Sequence, residues 1–139
     1  NMAARCIIDT DPGVDDALAL ILAVVAGLHI EGITIVHGNS KNMKQMGQNA
    51  NICLRTAGAD PCVQVYLGAS EPLASVHFQE ATHNGVDVHG SDGLGETRPV
   101  VEEADGKFGE PPAKDFIYER CKANSGEISI ITLGPLTNI

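Results

Sequence analysis

Basic residues are scarce in this sequence. Its 139 residues include 9 Lys and Arg against 18 Asp and Glu, which gives a formal net charge of −9 and a pI of about 4.8. Binding to phosphate backbones or to anionic membrane surfaces requires clustered Lys and Arg. We therefore expect neither nucleic acid nor a membrane surface among the partners of this protein.

Cysteine motifs and long apolar runs are also missing. The 4 cysteines form no CxxC pair and show no His/Cys spacing of a metal site, and a disulfide scaffold is not expected at this length. The longest apolar run, 17–28, contains a glycine and is too short to span a bilayer. No signal peptide precedes the first predicted strand, so we expect a cytoplasmic location.

Apolar and β-branched runs alternate with helix-forming segments along the sequence, whose 43% hydrophobic and 19% charged residues are typical of a globular domain. The predicted strands are 6–8, 32–36, 63–67 and 128–133, and the predicted helices are 17–26, 41–57 and 113–122. This alternation predicts an α/β fold with a mostly parallel sheet, open and doubly wound, with helices on both faces.

Three segments carry expectations about exposure. The helix at 17–26 is apolar on all sides, so we expect it to be fully buried. The strand at 128–133 is followed by the start of another element, and we expect this buried strand to need neighbours that the sequence does not contain. The segment 70–112 is rich in Gly, Pro and acids, which predicts a long, solvated acidic loop.

Carboxylates are crowded directly after the first predicted strand, where four of them fall within eight positions: Asp9, Asp11, Asp15 and Asp16. Like charges this close repel one another unless a positive group lies among them. A helix N-terminus offers only about 0.3–1 kcal/mol per carboxylate, whereas a divalent cation would suffice. An all-oxygen ligand set favours Ca²⁺ or Mg²⁺ over zinc. The alternative is that these acids only form the turn and the helix start.

Polar residues also follow other strands. Ligands of parallel sheets bind beyond the carboxyl ends of the strands, where Asn39 and the segment after Leu133 are expected to join the acids. His89 lies in a glycine-rich loop that could present its imidazole to a ligand, although such a histidine is often plain surface. The sequence contains neither a GxSxG nucleophile elbow nor a P-loop.

The string DTDPGVDDA at 9–17 resembles the N-terminal signature of the inosine–uridine-preferring nucleoside hydrolases. Three further segments follow in the order found in that family: VHGN at 36–39, VHGSDGLG at 88–95 and LGPLTN at 133–138. Family members are longer than this sequence and are commonly homo-oligomers. The resemblance therefore implies that 1–139 is the N-terminal part of a single α/β domain whose C-terminal half is absent.

The resemblance implies hydrolysis of the N-glycosidic bond of nucleosides, to ribose and free base, with a tightly bound Ca²⁺. Asp11 and Asp16 would bind the metal through their carboxylates, and Leu133 through its backbone carbonyl. Asp11 would also be the general base that activates water. Asp9 would help to hold the metal ligands in position without binding the metal itself.

The resemblance also implies the substrate contacts. Asp15 and Asn39 would hold the ribose hydroxyls, and His89 would lie on the side of the leaving base. The family places a last Asp ligand, and in some members a His acid for the departing base, in the C-terminal half. We therefore expect this stretch alone to be inactive.

The residues alone are also compatible with two other functions. A DxD after a buried strand also occurs in haloacid-dehalogenase-like phosphatases, where Asp9 would be the nucleophile and Mg²⁺ the metal. Those enzymes usually continue DxDGT, whereas this sequence continues with Pro12, Gly13 and a second acidic pair. A Ca²⁺-dependent module that binds ribose or a nucleoside without catalysis is the other alternative.

Overall fold

The computed structural model describes residues 4–74 and 88–139. Its strands are β1 (Arg5–Thr10), β2 (His29–Ile35), β3 (Val65–Leu67) and β4 (Ile128–Thr132). Its α-helices are α1 (Val14–Val25), α2 (Met43–Ala57) and α3 (Ala113–Ala123). Short 3-10 turns span Glu103–Gly106 and Leu136–Asn138.

The strands form a four-stranded sheet in the order β3-β2-β1-β4, and every neighbouring pair is parallel. The chain moves outward from β1 through β2 to β3, and then returns to place β4 on the other side of β1. The strand order therefore reverses between β1 and β4. In open parallel sheets, the crevice beyond the carboxyl ends at such a reversal is where ligands bind.

Both faces of the sheet are covered, because side chains alternate along β1. Cys6 and Ile8 enter the core beneath α1 and α2, together with Leu20 and Met46. Ile7 points the other way, into a smaller core beneath α3 formed with Tyr66, Ala113, Phe116 and Ile117. Each fully buried side chain of this size stabilises the fold by about 1.5–3 kcal/mol. The predicted α/β fold with helices on both faces is confirmed.

The helix boundaries follow from their capping residues. Helix α2 begins two residues later than predicted, because the side chain of Asn42 accepts a hydrogen bond from the Gln45 N–H at 3.1 Å and caps the helix. It ends at Gly58, whose φ of 73° is the left-handed conformation that a glycine adopts readily. The predicted end of this helix at residue 57 is confirmed.

The expectation that the first helix is fully buried is wrong. Leu20 and Ala23 face the core, whereas Leu18, Leu22 and Val25 are 70%, 67% and 72% exposed. The helix packs on the sheet and on α2 with one side only, and nothing in the described part of the chain covers the other. None of the described helices has the length and apolarity needed to cross a membrane.

The expectation that the last strand is buried is also wrong. Strand β4 lies at the edge of the sheet, and Ser129 and Thr132 are exposed. Its only strand partner within 4–74 and 88–139 is β1. The strand therefore does lack a neighbour on one side, as expected.

The acidic segment 70–112 is not uniformly solvated, and its residues 75–87 lie outside the described part of the chain. Asp105 is buried and accepts hydrogen bonds from Arg55 of α2, with Nη2 at 2.9 Å from Oδ2. The backbone N–H of Glu102 also donates to Oδ2, at 2.8 Å. An ion pair between the buried Asp105 and the exposed Arg55 thus fixes this part of the segment to α2.

Candidate functional site

Asp11 is the first residue after β1 and lies where the strand order reverses. It is buried, and backbone from two neighbouring loops closes around it. A Cβ atom added at Gly38, after β2, would lie 1.9 Å from Asp11 Oδ2, and one added at Gly134, after β4, would lie 2.6 Å from Oδ1. Glycine is required at both positions because the backbone comes so close to the carboxylate.

Asn39 holds Asp11 from two sides. Its backbone N–H donates to Asp11 Oδ2 at 3.0 Å, and its side-chain Nδ2 donates to the Asp11 carbonyl at 2.8 Å. Burial and then repulsion from Asp16 raise the pKa of Asp11 to about 6, with a smaller contribution from Asp15 and an opposing one from the Asn39 N–H. The carboxylate is therefore fixed in place while its negative charge is poorly compensated.

Asp16 joins the first turn of α1 to β1. It is buried, and its Oδ1 accepts the Thr10 hydroxyl at 2.5 Å while its Oδ2 accepts the Gly13 N–H at 3.2 Å. The second bond satisfies one of the free N–H groups at the start of the helix. The Pro12-Gly13 turn thus brings Asp11 and Asp16 close enough for their charges to repel each other.

Asp9 faces away from Asp11 and Asp16, so the expectation of one cluster of four carboxylates is wrong. Strand β1 continues to Thr10, and Asp9 therefore lies on the strand, facing the side opposite to Thr10. Its Oδ1 accepts the Thr34 hydroxyl at 2.5 Å and Asn138 Nδ2 at 2.8 Å, and burial raises its pKa. The side chain of Asp15 is 80% exposed at the start of α1.

His89 lies at the N-terminus of α1. Its Nδ1 accepts the Val14 N–H at 3.2 Å, and it lies 3.9 Å from Asp15 Oδ1. The ring lies against Gly13, where an added Cβ would lie 2.6 Å from ring atoms. The glycine-rich loop predicted to present this histidine therefore brings it beside the acids. His89, Pro12 and Asn39 line one small pocket.

Comparison with known proteins identifies the family. Residues 6–139 match the family model described as inosine-uridine preferring nucleoside hydrolase. The chain belongs to this family. Over 136 residues it is 40% identical to the "Probable uridine nucleosidase 2" of Oryza sativa subsp. japonica. The aligned region covers 97% of this chain and 38% of that protein.

Solved structures of nucleoside hydrolases agree with this assignment. A plant nucleoside hydrolase is 34% identical, with a TM-score of 0.82 and coverage of 97% of this chain and 41% of that one. An inosine-guanosine nucleoside hydrolase is 29% identical, with a TM-score of 0.80 and coverage of 96% and 40%. The chain thus spans about 40% of the length of the relatives it matches. The family predicted from the motifs is confirmed.

The donor atoms near Asp11 suit a hard divalent cation. Asp11 Oδ2 is engaged by Asn39, whereas Oδ1 accepts no hydrogen bond from the described residues. A second buried carboxylate, Asp16, lies close enough to raise the pKa of Asp11. Oxygen donors and uncompensated negative charge are what Ca²⁺ sites offer. Residues 4–74 and 88–139 do not by themselves bring three His, Cys, Asp or Glu side chains together as a metal centre.

Sequence reasoning missed the residues that hold Asp9. The hydroxyl of Thr34 and the side-chain amide of Asn138 both donate to its carboxylate. A signal for Thr34 existed, because an acid on a buried strand requires donors and Asp9 pairs with Thr34 in the β1–β2 register. Asn138 lies within the 133–138 segment of the family signature, but the motif alone assigned it no contact.

Proposed function

We propose that this chain is the N-terminal part of a single nucleoside hydrolase domain, and that the complete protein hydrolyses the N-glycosidic bond of ribonucleosides to ribose and free base. The observation that carries this proposal is Asp11, a buried carboxylate fixed where the strand order reverses, in a chain that belongs to the family. The names of its relatives support nucleosides as the substrate class and include uridine, inosine and guanosine.

Asp11 is proposed as the general base. Asn39 holds one carboxylate oxygen, which leaves Oδ1 to accept a proton from the attacking water. Cleavage of a glycosidic bond passes through a ribosyl group with developing positive charge. A carboxylate held beside that ring stabilises this charge without reorganising, because its position is already fixed.

The proposed metal is Ca²⁺. Asp11 and Asp16 would hold it through carboxylate oxygens, and Leu133 through its backbone carbonyl; the Leu133 N–H already donates to the Asp9 carbonyl at 2.8 Å, which fixes that peptide beside β1. When bound, Ca²⁺ supplies Lewis-acid chemistry that orients ribose hydroxyls and lowers the pKa of water. Further ligands would come from outside the present chain.

Three residues are proposed to contact the nucleoside. Asp15 is exposed, so its carboxylate is free to accept hydrogen bonds from ribose hydroxyls. Asn39 uses Nδ2 on the Asp11 carbonyl, so its Oδ1 is the end that can accept from the sugar. Because His89 Nδ1 accepts the Val14 N–H, a neutral ring carries its proton on Nε2, which can donate toward the leaving base.

The phosphatase alternative lacks support from the geometry. It requires Asp9 to attack phosphate, but Asp9 has no exposed surface and its carboxylate accepts hydrogen bonds from Thr34 and Asn138. A fully buried carboxylate cannot reach a phosphate group in solution.

The complete protein should release reducing sugar from at least one of uridine, inosine and guanosine. It should release no phosphate from p-nitrophenyl phosphate. Dialysis against a chelator should abolish sugar release, and added Ca²⁺ should restore it, because the proposed site consists of oxygen donors. Phosphate release without sugar release would overturn the proposal. Calorimetric binding of ribose without turnover would instead support a non-catalytic binding module.

Gly38→Ala should lower kcat by about 10²-fold or more, because displacement of a catalytic group by 1 Å can cost that much. The new Cβ would lie 1.9 Å from Asp11 Oδ2 and 2.7 Å from its Cγ, so the carboxylate must move. Gly106→Ala is the matched control, since its Cβ would lie 3.6 Å from the nearest atom. Equal kcat values for the two variants would show that the position of Asp11 is not critical.

A further inference from the structure

The 3-10 turn Leu136–Asn138 folds back over the carboxyl ends of the strands, and its last residue is buried. Asn138 Nδ2 donates to Asp9 Oδ1 at 2.8 Å and to the Ile35 carbonyl at 3.1 Å. Asn138 Oδ1 accepts the Ala69 N–H at 2.8 Å. One side-chain amide therefore links the ends of β1 and β2 to the residues that follow β3.

Only an amide of this length can make all three contacts, because they need two donated hydrogen bonds and one accepted bond. The groups packed around the Asn138 side chain leave its amide no space to move. A Cβ added at Gly68 would lie 2.3 Å from Asn138 Oδ1 and 2.5 Å from the Ile35 carbonyl oxygen. Beside it, Thr137 Oγ1 lies 2.7 Å from His37 Nε2, which anchors the same turn to the loop after β2.

The turn determines where the segment after β4 lies. Leu133 is fixed at the start of this segment by its N–H, which donates to the Asp9 carbonyl at 2.8 Å. Asn138 fixes the other end, on the carboxylate of the same Asp9. Between them, Gly134 lies against Asp11, where an added Cβ would be 2.6 Å from Oδ1.

We propose that Asn138 is a positioning residue for the candidate site. Its side-chain amide sets the distance between the Leu133–Gly134 peptide and Asp11, and thereby the affinity of the site for Ca²⁺, without contacting substrate or metal. This role rests on the proposed function, because it concerns the same carboxylate and the same backbone carbonyl.

The informative variant is Asn138→Asp in the complete protein. It keeps the side-chain shape but loses both donated hydrogen bonds and places a carboxylate against that of Asp9. Ca²⁺ affinity, measured by titration calorimetry with the metal alone, should fall by about 10- to 100-fold, as is typical when a group that orients a metal ligand is lost. At saturating Ca²⁺, kcat should recover most of its wild-type value, since no catalytic group has been removed.

Asn51→Asp is the matched control. Asn51 Nδ2 also bridges two backbone carbonyls, those of Asp105 and Lys107, at 3.0 and 3.1 Å, but it does so between α2 and the turn at Glu103–Gly106. Both variants should lower the thermal midpoint, whereas only Asn138→Asp should weaken Ca²⁺ binding. Unchanged Ca²⁺ affinity in folded Asn138→Asp, or an equal loss in Asn51→Asp, would overturn the proposal.

Two further measurements keep the role of Asn138 testable. If Asn138→Asp does not fold, Thr137→Val removes only the contact of the turn with His37, and it should lower Ca²⁺ affinity by a smaller factor; no change would count against the proposal. If wild-type protein releases no sugar and binds no Ca²⁺, the proposed function fails together with the effect of Asn138 on Ca²⁺ affinity, and the positioning of the Leu133–Gly134 peptide is tested by itself. Hydrogen exchange at the Leu133 amide should still be faster in Asn138→Asp than in Asn51→Asp, and equal exchange would refute the positioning role.

Discussion

Asp11→Asn should reduce nucleoside hydrolysis by about 10²–10⁴-fold or more, the range that a general base contributes. The loss has two causes, because the substitution removes both the proposed base and a proposed metal ligand. The fold should survive, since Asn retains an oxygen that can accept the Asn39 N–H. Without metal, the thermal midpoint should be equal to or above that of the wild type, because a buried charge repelled by Asp16 has been removed.

The measurements are kcat at saturating nucleoside and the thermal midpoint in chelator. Asp115→Asn, in the first turn of α3, is the control: it should leave kcat unchanged and lower the midpoint only slightly, because a carboxylate at a helix start contributes about 0.3–1 kcal/mol. Comparable kcat values for the two variants would eliminate Asp11 as the base. A lower midpoint for metal-free Asp11→Asn would show that the crowded charge does not destabilise the site.

Glu31→Gln should destabilise the fold by about 3 kcal/mol. The side chain of Glu31 is 2% exposed, and its Oε1 lies 2.7 Å from Arg5 Nε, while its Oε2 accepts from Arg120 of α3. Removing the charge leaves Arg120 without its carboxylate partner among the described residues, while Arg5 keeps Glu127 at 2.8 Å. Loss of one partner from a fully buried pair costs about 3–5 kcal/mol. The lower end applies because Arg5 and Arg120 are 29% and 43% exposed, so water partly compensates them.

Urea denaturation of the complete protein measures this effect. Glu103→Gln is the control, because Glu103 pairs with Lys107 at 3.3 Å on the surface and should cost about 0.5 kcal/mol or less. Glu31 pairs with groups near the starts of β1 and β2, at the end of the sheet opposite to Asp11, so kcat of the folded variant should not change. Similar destabilisation by both substitutions would refute the buried-network explanation.

The sequence was sufficient to predict where the candidate site lies in the fold. The acids follow one apolar run and Asn39 follows another, and alternating strands and helices predict a parallel sheet. In such a sheet all carboxyl ends meet at one edge, which is why residues 28 positions apart, Asp11 and Asn39, form hydrogen bonds. The family signature added an expected role for His89, whose loop carries no periodic pattern.

The orientation of individual acids could not be predicted. Extending β1 by two residues moves Asp9 from the expected turn onto the strand, and the alternation of the strand then turns it to the opposite face from Thr10. The contact between Asp9 and Asn138 joins residues 129 positions apart, and no local pattern encodes such a pair. Likewise, a helix that is apolar all round has the same sequence whether or not its second side is covered, so the exposure of Leu18 was not foreseeable.

The open side of β4 has a practical consequence. Within the described residues β4 pairs on one side only, and such a strand presents a row of backbone N–H and C=O groups, which is a template for adding a strand from another molecule. The exposed apolar side of α1, with Leu18, Leu22 and Val25, is a second surface through which molecules can associate. A polypeptide in which both surfaces are exposed should therefore precipitate or form fibrils at concentrations at which a protein with both surfaces buried remains in solution.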